Sequence, residues 1–431
     1  MKEYIKNNKP TEKKLPLTHE EKKSLRLICI GTFLEYFDFC AYIHISVILN
    51  ELFFPKSDPQ TKALLIALSF SMSYILRPLG SLIFGLLGDS FGRKKTIIIT
   101  TFSMAISSLC LAFLPTYEQI GLKASYLVLL CRIVQGISSA VEFTGAKIYI
   151  TEITQKSHHY FYAAFLGAMT DAGSIFSLVF CLLMLHIFPE YGWRFVFLFG
   201  SVIAIIGLFF RKELKESQEF LEETKKLKQN DGRKSNFFTI IKQHSRNIFS
   251  YFLIELISPF LSFTCFIHIG EILINKLGYT PIQVIKHNLY VTLLSFVVHM
   301  ICILLTRYVY PIKILKFTTL LLFLSSLSFS YLTNKNITPI DIFIIQVISW
   351  SLNVTYIGAS VFVNGFRTIG RFTLMGVSFS LARAVGAIIT SYGCMYVSQK
   401  YSFDGISALM ICMVTLYAIG LYLFIPLKNK C

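Results

Sequence analysis

The sequence predicts an all-α polytopic membrane protein, about twelve transmembrane helices in two six-helix bundles. Three observations predict it. Apolar windows of about 20 residues, the length that spans a bilayer as a helix, recur along nearly the whole chain. Hydrophobic residues make up 54% and charged residues 15%, against about 25% charged in a soluble chain, and mean hydropathy is +0.60. One hydrophilic stretch, RKELKESQEFLEETKKLKQNDGRKSN at Arg211–Asn236, divides the windows into two similar sets.

In order, the windows fall near 27–53, 64–87, 96–115, 124–150, 160–188, 194–211, 249–274, 284–306, 313–332, 339–363, 373–397 and 403–426, each of roughly spanning length. The organisation expected is a tail at 1–26, a bundle at 27–211, a linker at 212–248, a second bundle at 249–427 and a tail at 428–431. Pro78, inside the second window, is expected to bend its helix, a bend that neighbouring helices can satisfy. Gly136, Gly145, Gly167 and Gly173 are expected at close helix contacts.

The net charge of +17 invites a nucleic-acid reading, but its distribution argues against one. About 29 of the 41 Lys and Arg fall on one side of the twelve-span arrangement, about 8 on the other and about 4 within spans. That is the positive-inside pattern, with both termini cytoplasmic, and a basic balance suits loops that face anionic lipid. The ten cysteines are scattered singly without metal-ligand spacing, so they read as small buried hydrophobes. No cofactor, metal or nucleic acid is expected, and no cleaved signal peptide. The absence of a Walker loop, metal-ligand spacing or nucleophile motif argues against an enzyme.

GLLGDSFGRKK, Gly85–Lys95, joins the second and third windows. Its glycines permit a tight turn, and Asp89 and Arg93 are placed for charge-assisted bonds where helix ends meet. Glu152, at the same end of the fourth window, is expected to pair with Arg93 and close that side. Arg77 is grouped with these gating residues.

Ionisable groups inside spans cost about 2.5–3.5 kcal/mol each on insertion scales, so each is a site candidate. The first window carries GTFLEYFDFCAY, with Glu35 and Asp38 on one helical face and Tyr36 and Tyr42 nearby. The fourth carries Arg132, Glu142 and Lys147, the fifth Asp171, and the seventh Glu255 and Glu271 near loop ends. Acids among aromatics can hold the cationic end of a substrate, and a desolvated acid can exchange a proton. Arg132 can grip a carboxylate through its fork. The bland alternative is helix-to-helix pairing, Arg132 with Glu35 or Asp38 and Lys147 with Glu142. Arg383, in LARAVGAIIT, is expected to pair with an acid across the bundle interface or to bind an anionic substrate.

Several segments together resemble one family: GTFLEYFDF (Gly31–Phe39), FSMSYILRPLGSLIFGLLGDSFGRKKT (Phe70–Thr96), LPTYEQIG (Leu114–Gly121), RIVQGISSAVEFTGA (Arg132–Ala146), AMTDAGSI (Ala168–Ile175) and GWRFVF (Gly192–Phe197). The chain resembles the metabolite:proton symporter family of the major facilitator superfamily, within it the proline/betaine transporters. The resemblance implies the major facilitator fold, a bacterial inner-membrane setting and proton-driven uptake of small osmolytes or organic acids. Departures are Ala140-Val141 for a glycine pair, Ser90 for a basic residue, Thr32 for Asn and Tyr36 for Trp. In the second half the loop motif is replaced by TRYVYPIKILK (Thr306–Lys316).

Three functions are therefore expected in competition. The first is proton-coupled symport of a zwitterionic osmolyte such as proline or glycine betaine by alternating access. The second is symport of an organic acid such as a dicarboxylate, and the third a non-transporting membrane solute sensor. The expected partners are that small solute, protons and the lipid bilayer, with the chain monomeric. The short C-terminal tail predicts no osmotic control through a long C-terminal extension.

Overall fold

The computed structural model describes residues 18–54, 74–140, 142–154, 158–213, 221–222, 225, 237–333, 338–368 and 370–425. Most of the expected N-terminal tail, much of the linker and the C-terminal tail lie outside them. Among the described residues all regular structure is helical. The first half contains α1 (His19–His44), α2 (Arg77–Phe91), α3 (Arg93–Phe113), α4 (Leu122–Ser139), α5 (Glu142–Ile153), α6 (His159–Ile187) and α7 (Gly192–Lys212). The second contains α8 (Phe237–Glu255), α9 (Ile269–Leu277), α10 (Pro281–Leu305), α11 (Pro311–Thr333), α12 (Pro339–Ser351) and α13 (Arg371–Leu423). Ten helical segments among the described residues are long and apolar enough to cross a membrane. Helices α2 and α11 lie in the expected second and ninth windows.

Local sequence explains where these helices begin and end. Thr18 with Glu21, Thr280 with Gln283 and Thr338 with Asp341 form capping boxes that start α1, α10 and α12, each satisfying two otherwise orphaned backbone donors. Gly278 ends α9 at φ 69°. Gly92, at φ 102°, turns α2 directly into α3, a conformation that costs a side-chain-bearing residue steric strain. Pro78 does interrupt its span: the helix is broken by a turn at Leu76 and restarts at Arg77 with Pro78 in its first turn.

Helix α13 is 53 residues long and would reach about 80 Å if straight. It folds back instead. A Cβ at Gly405 would stand 3.1 Å from the Val397 carbonyl. The Asn247 amide donates both to Gly365 O, ahead of α13, and to Ile425 O, beyond it. This helical hairpin supplies the eleventh and twelfth spans.

Two antiparallel seams join the halves, α2 on the first limb of α13 and α6 on α10. Small residues permit the close approach within and between halves. A Cβ on Gly173 would lie 2.5 Å from the Phe33 carbonyl of α1, and one on Gly167 would enter the Tyr356 ring. Gly173→Val is expected to destabilise the protein by about 1–3 kcal/mol through overpacking against rigid backbone. Its melting temperature in detergent should fall; an unchanged value would mean that α6 can move away from α1.

Among the described residues five spans are broken: the first at Ile45, the second at Leu76, the fourth at Ala140, the seventh at Leu256 and through a π-helical turn at Phe263–His268, and the tenth at 352–354. Non-helical backbone at membrane depth is tolerated where it is buried in protein or lines a cavity. All of these spans border the space between the halves.

Candidate functional site

At the centre, between the halves, lies a cavity of about 110 Å³. That is room for several waters or one small solute. Its walls carry charges of both signs: Glu35, Arg77, Asp171 and Arg383, with His299 beside Asp171. Aromatic rings, including Tyr36, Phe143, Trp350 and Tyr356, fill much of the remainder. Tyr36 meets Phe143 edge-on, with centroids 5.3 Å apart. Five atoms of lining residues find no hydrogen-bond partner among the described residues: His44 Nδ1, Trp350 Nε1, Asn353 Oδ1, Tyr356 OH and Arg383 Nε. Leaving a buried polar group unmatched costs about 1–3 kcal/mol, a cost that water or a solute in the cavity would relieve. The break at 352–354 is what brings Asn353 and Tyr356 to it.

A second polar centre lies within the first half, around a pocket of about 20 Å³ lined by Glu35, Asp38, Thr101 and Glu142. Asp38 accepts from Ser108 Oγ at 2.7 Å and from Gln135 Nε2 at 3.4 Å. Arg132 donates to Gln135 Oε1 at 2.8 Å and lies 3.7 Å over the Tyr42 ring. Gln135 thus links Arg132 to Asp38. Glu142 accepts from Thr100 at 2.9 Å and Thr101 at 2.7 Å. Glu35 borders both this pocket and the central cavity, whereas Asp38, Tyr42, Arg132 and Glu142 line only the inner region or its edge.

Three pairings differ from expectation. Lys147 pairs with Glu255 at 3.5 Å rather than with Glu142, because the threonines of α3 already occupy Glu142. Glu255 is not near a loop end: it is 1% exposed and is shared by Lys147 of the first half and Arg383 of the second, the latter at 3.6 Å. Arg383 therefore finds its acid within its own half, and the contact that crosses the interface is made by Lys147. Lys147 lies over the Phe143 and Phe379 rings, and Arg383 over that of Phe379. Glu271 is half-buried on α9.

At the end of the bundle that carries Gly85–Lys95, here the basic end, two polar contacts cross between halves. Asp89 accepts from the Thr373 backbone N–H at 3.0 Å and from its hydroxyl at 2.6 Å. Thr373 lies in the first turn of α13, so Asp89 caps that helix from the other half and sits at the positive end of its dipole. Glu152 pairs at 3.0 Å with Arg371, a partner the sequence reading did not propose. The Arg93 side chain lies outside the described residues. Arg77 stands in the cavity wall, between the Phe39 and Tyr74 rings at 4.7 and 4.4 Å, about 18 Å along the helix from Asp89. Asp89→Ala is expected to remove about 1–2 kcal/mol of capping and to open the basic end more often. Faster modification of cavity-lining Cys40 by a thiol reagent added on that side would show it; an unchanged rate would make the contact merely structural.

The sequence reading also missed His299, whose Nδ1 donates to Asp171 at 2.7 Å. An imidazole within VVHMICILL was a legible signal. Gln135 and the threonines of α3 carried none, since uncharged polar residues are common in spans.

These features define a class: two halves of broken and whole helices around a central polar cavity. The model of the Major Facilitator Superfamily matches residues 28–370, and the chain belongs to that superfamily. Over 244 residues it is 35% identical to the proline/betaine transporter of Salmonella typhimurium, covering 53% of this chain and 48% of that protein. It is also 35% identical over 219 residues to the glycine betaine/proline/ectoine/pipecolic acid transporter OusA of Dickeya dadantii, covering 49% and 43%. The chain spans about half the length of these curated relatives. Among solved structures, the proton:xylose symporter XylE bound to 6-bromo-6-deoxy-D-glucose matches with a TM-score of 0.77 at 14% identity, covering 94% of this chain and 96% of that one. The Escherichia coli fucose:proton symporter FucP matches with a TM-score of 0.68 at 16% identity, covering 93% and 97%. Both likenesses show the fold alone.

Proposed function

We propose that the chain is a secondary active transporter that carries a small zwitterionic osmolyte, such as proline or glycine betaine, together with a proton by alternating access. In this reading residues 27–211 and 249–427 are the two rocking bundles. The setting is a bacterial inner membrane, with the basic end and both termini cytoplasmic. The observation that carries it is the central cavity between the halves, with fixed charges of both signs and unmatched polar atoms. The relatives' names support the substrate class.

Arg383 is the substrate's carboxylate partner in this reading. Around it, Arg77, Lys147 and Arg383 are set against Glu35 and Glu255, with Asp171 also in the cavity wall, so charges of both signs face the space that a zwitterion would enter. The task assigned to Arg132 in the sequence reading passes to Arg383, because Arg132 is held against Tyr42 outside the cavity. Tyr36, Trp350 and Tyr356 offer ring faces to a cationic nitrogen. Glu35, bordering both pockets, connects the cavity to Asp38 and Glu142, which hold the transported proton. Asp89, Arg93 and Glu152 form the cytoplasmic gate.

The test is labelled uptake into proteoliposomes with and without an inward proton gradient, offering proline, glycine betaine, 2-oxoglutarate and citrate. Gradient-dependent accumulation of proline or glycine betaine is expected. Accumulation of a carboxylic acid instead would replace the substrate class, and binding without accumulation would favour a sensor.

A further inference from the structure

We infer that His299 is the residue whose protonation strengthens the tie between the two halves across the cavity, and thereby couples proton binding to closure around the substrate. The inference rests on the reading of the chain as a proton symporter and adds a site in the second half to the acids of the first. His299 is 1% exposed yet borders the cavity, so a proton can reach it through cavity water. Its two ring nitrogens face two groups that only accept. Nδ1 is 2.7 Å from the Asp171 carboxylate on α6, and Nε2 is 3.3 Å from the Trp350 carbonyl at the end of α12. A neutral imidazole has one N–H and can satisfy only one of them. An imidazolium satisfies both and adds a charge-assisted bond to Asp171.

Asp171 belongs to the first half, and His299 and Trp350 to the second. The ring is therefore a tie between halves at the α6–α10 seam, and protonation strengthens it by making the Asp171 bond charge-assisted while Nε2–H anchors the ring to the Trp350 carbonyl. The step balances simply. A proton from cavity water adds to the Nε2 lone pair, and its release returns the lone pair and breaks the bond to the Trp350 carbonyl. The other groups facing this pair are few. Tyr356 stacks edge-on at 5.7 Å and, like Cys40 of α1, lies within electrostatic range of Asp171. Cys302 lies one turn along α10, and His44 of α1 bonds Ser174 one turn along α6 from Asp171. The charged groups Glu35, Arg77 and Arg383 stand elsewhere in the cavity wall. Proton binding to the ring thus makes closure around the cavity favourable where protons are abundant.

The first test needs no substrate. Thermal unfolding of purified wild type and His299→Gln is compared at about pH 5 and about pH 8. Glutamine can still donate to Asp171 but cannot take a proton. The wild type is expected to lose part of its stability advantage over the variant as pH rises, because the charge assistance on the Asp171 bond and the Trp350 bond are present when the ring is protonated and lost when it is not. Parallel pH profiles would overturn the inference. If His299→Gln does not fold, Asp171→Asn serves in its place. That variant is expected to flatten the profile, and retention of the wild-type profile would overturn the proposal equally. The second test is proteoliposome uptake of proline and glycine betaine. His299→Gln is expected to exchange solute at equilibrium but to lose gradient-driven accumulation, and wild-type accumulation in the variant would overturn the inference. Failure of the wild type itself to accumulate either compound would overturn the transport reading instead, while the unfolding profiles would still report on the tie.

Discussion

Glu255→Gln is expected to destabilise the protein by about 3–5 kcal/mol, the cost of leaving buried charge uncompensated when one partner of a buried pair is removed. Its carboxylate is the shared counter-ion of Lys147 and Arg383, at 3.5 and 3.6 Å. The two cations have side-chain exposures of only 3% and 13%. Neutralising the acid leaves two positive charges facing one another where water cannot screen them. Replacing Lys147 with Met in the same chain should recover part of the loss, because only Arg383 then remains and it borders the cavity. Thermal unfolding of the two single variants and the double variant forms a double-mutant cycle, in which residues in direct contact should show a coupling of about 0.5–3 kcal/mol. Additive losses would mean that Lys147 and Glu255 do not depend on one another, and that the halves are not joined through this pair.

The largest functional effect is expected of Asp38→Asn. Gradient-driven accumulation should fall to background, while solute exchange at equilibrium continues. Asparagine keeps an oxygen for the Ser108 hydroxyl, which donates to Asp38 at 2.7 Å, so the fold is spared and the exchangeable proton is lost. Glu35→Gln should act in the same direction, with a further loss of substrate affinity because Glu35 also borders the central cavity. Paired uptake and exchange assays in proteoliposomes check both variants. Full accumulation in Asp38→Asn would remove the acid from coupling and leave it a structural partner of Ser108 and Gln135.

Much of the architecture was legible because bilayer thickness imposes one length on every span and hydrocarbon excludes charge. The apolar windows gave the helices, and Gly85–Lys95 gave the tight turn that Gly92 makes at positive φ. The same logic singled out Glu35, Asp38, Arg132, Glu142 and Asp171, since each breaks an apolar run. What it could not give was their partners. Glu142 faces Thr100 and Thr101 of α3, so Lys147 turns to Glu255 across the interface. Glu152 meets Arg371, some two hundred residues away in sequence. Nor could windows show that the break at 352–354 brings Asn353 and Tyr356 to the cavity.

The sequence by itself determined that this is a helical membrane protein with spans in two sets, and which ionisable groups stand inside them. Hydropathy and helical periodicity are local properties, and the energetic cost of a charge in hydrocarbon can be read one span at a time. Only the tertiary structure decided that Arg132 is sealed against Tyr42 while Arg77 and Arg383 border the cavity, and that Asp171 meets His299. Those outcomes depend on the rotation and depth of each helix against its neighbours, set by the packing of small residues such as Gly167 and Gly173 across seams distant in sequence.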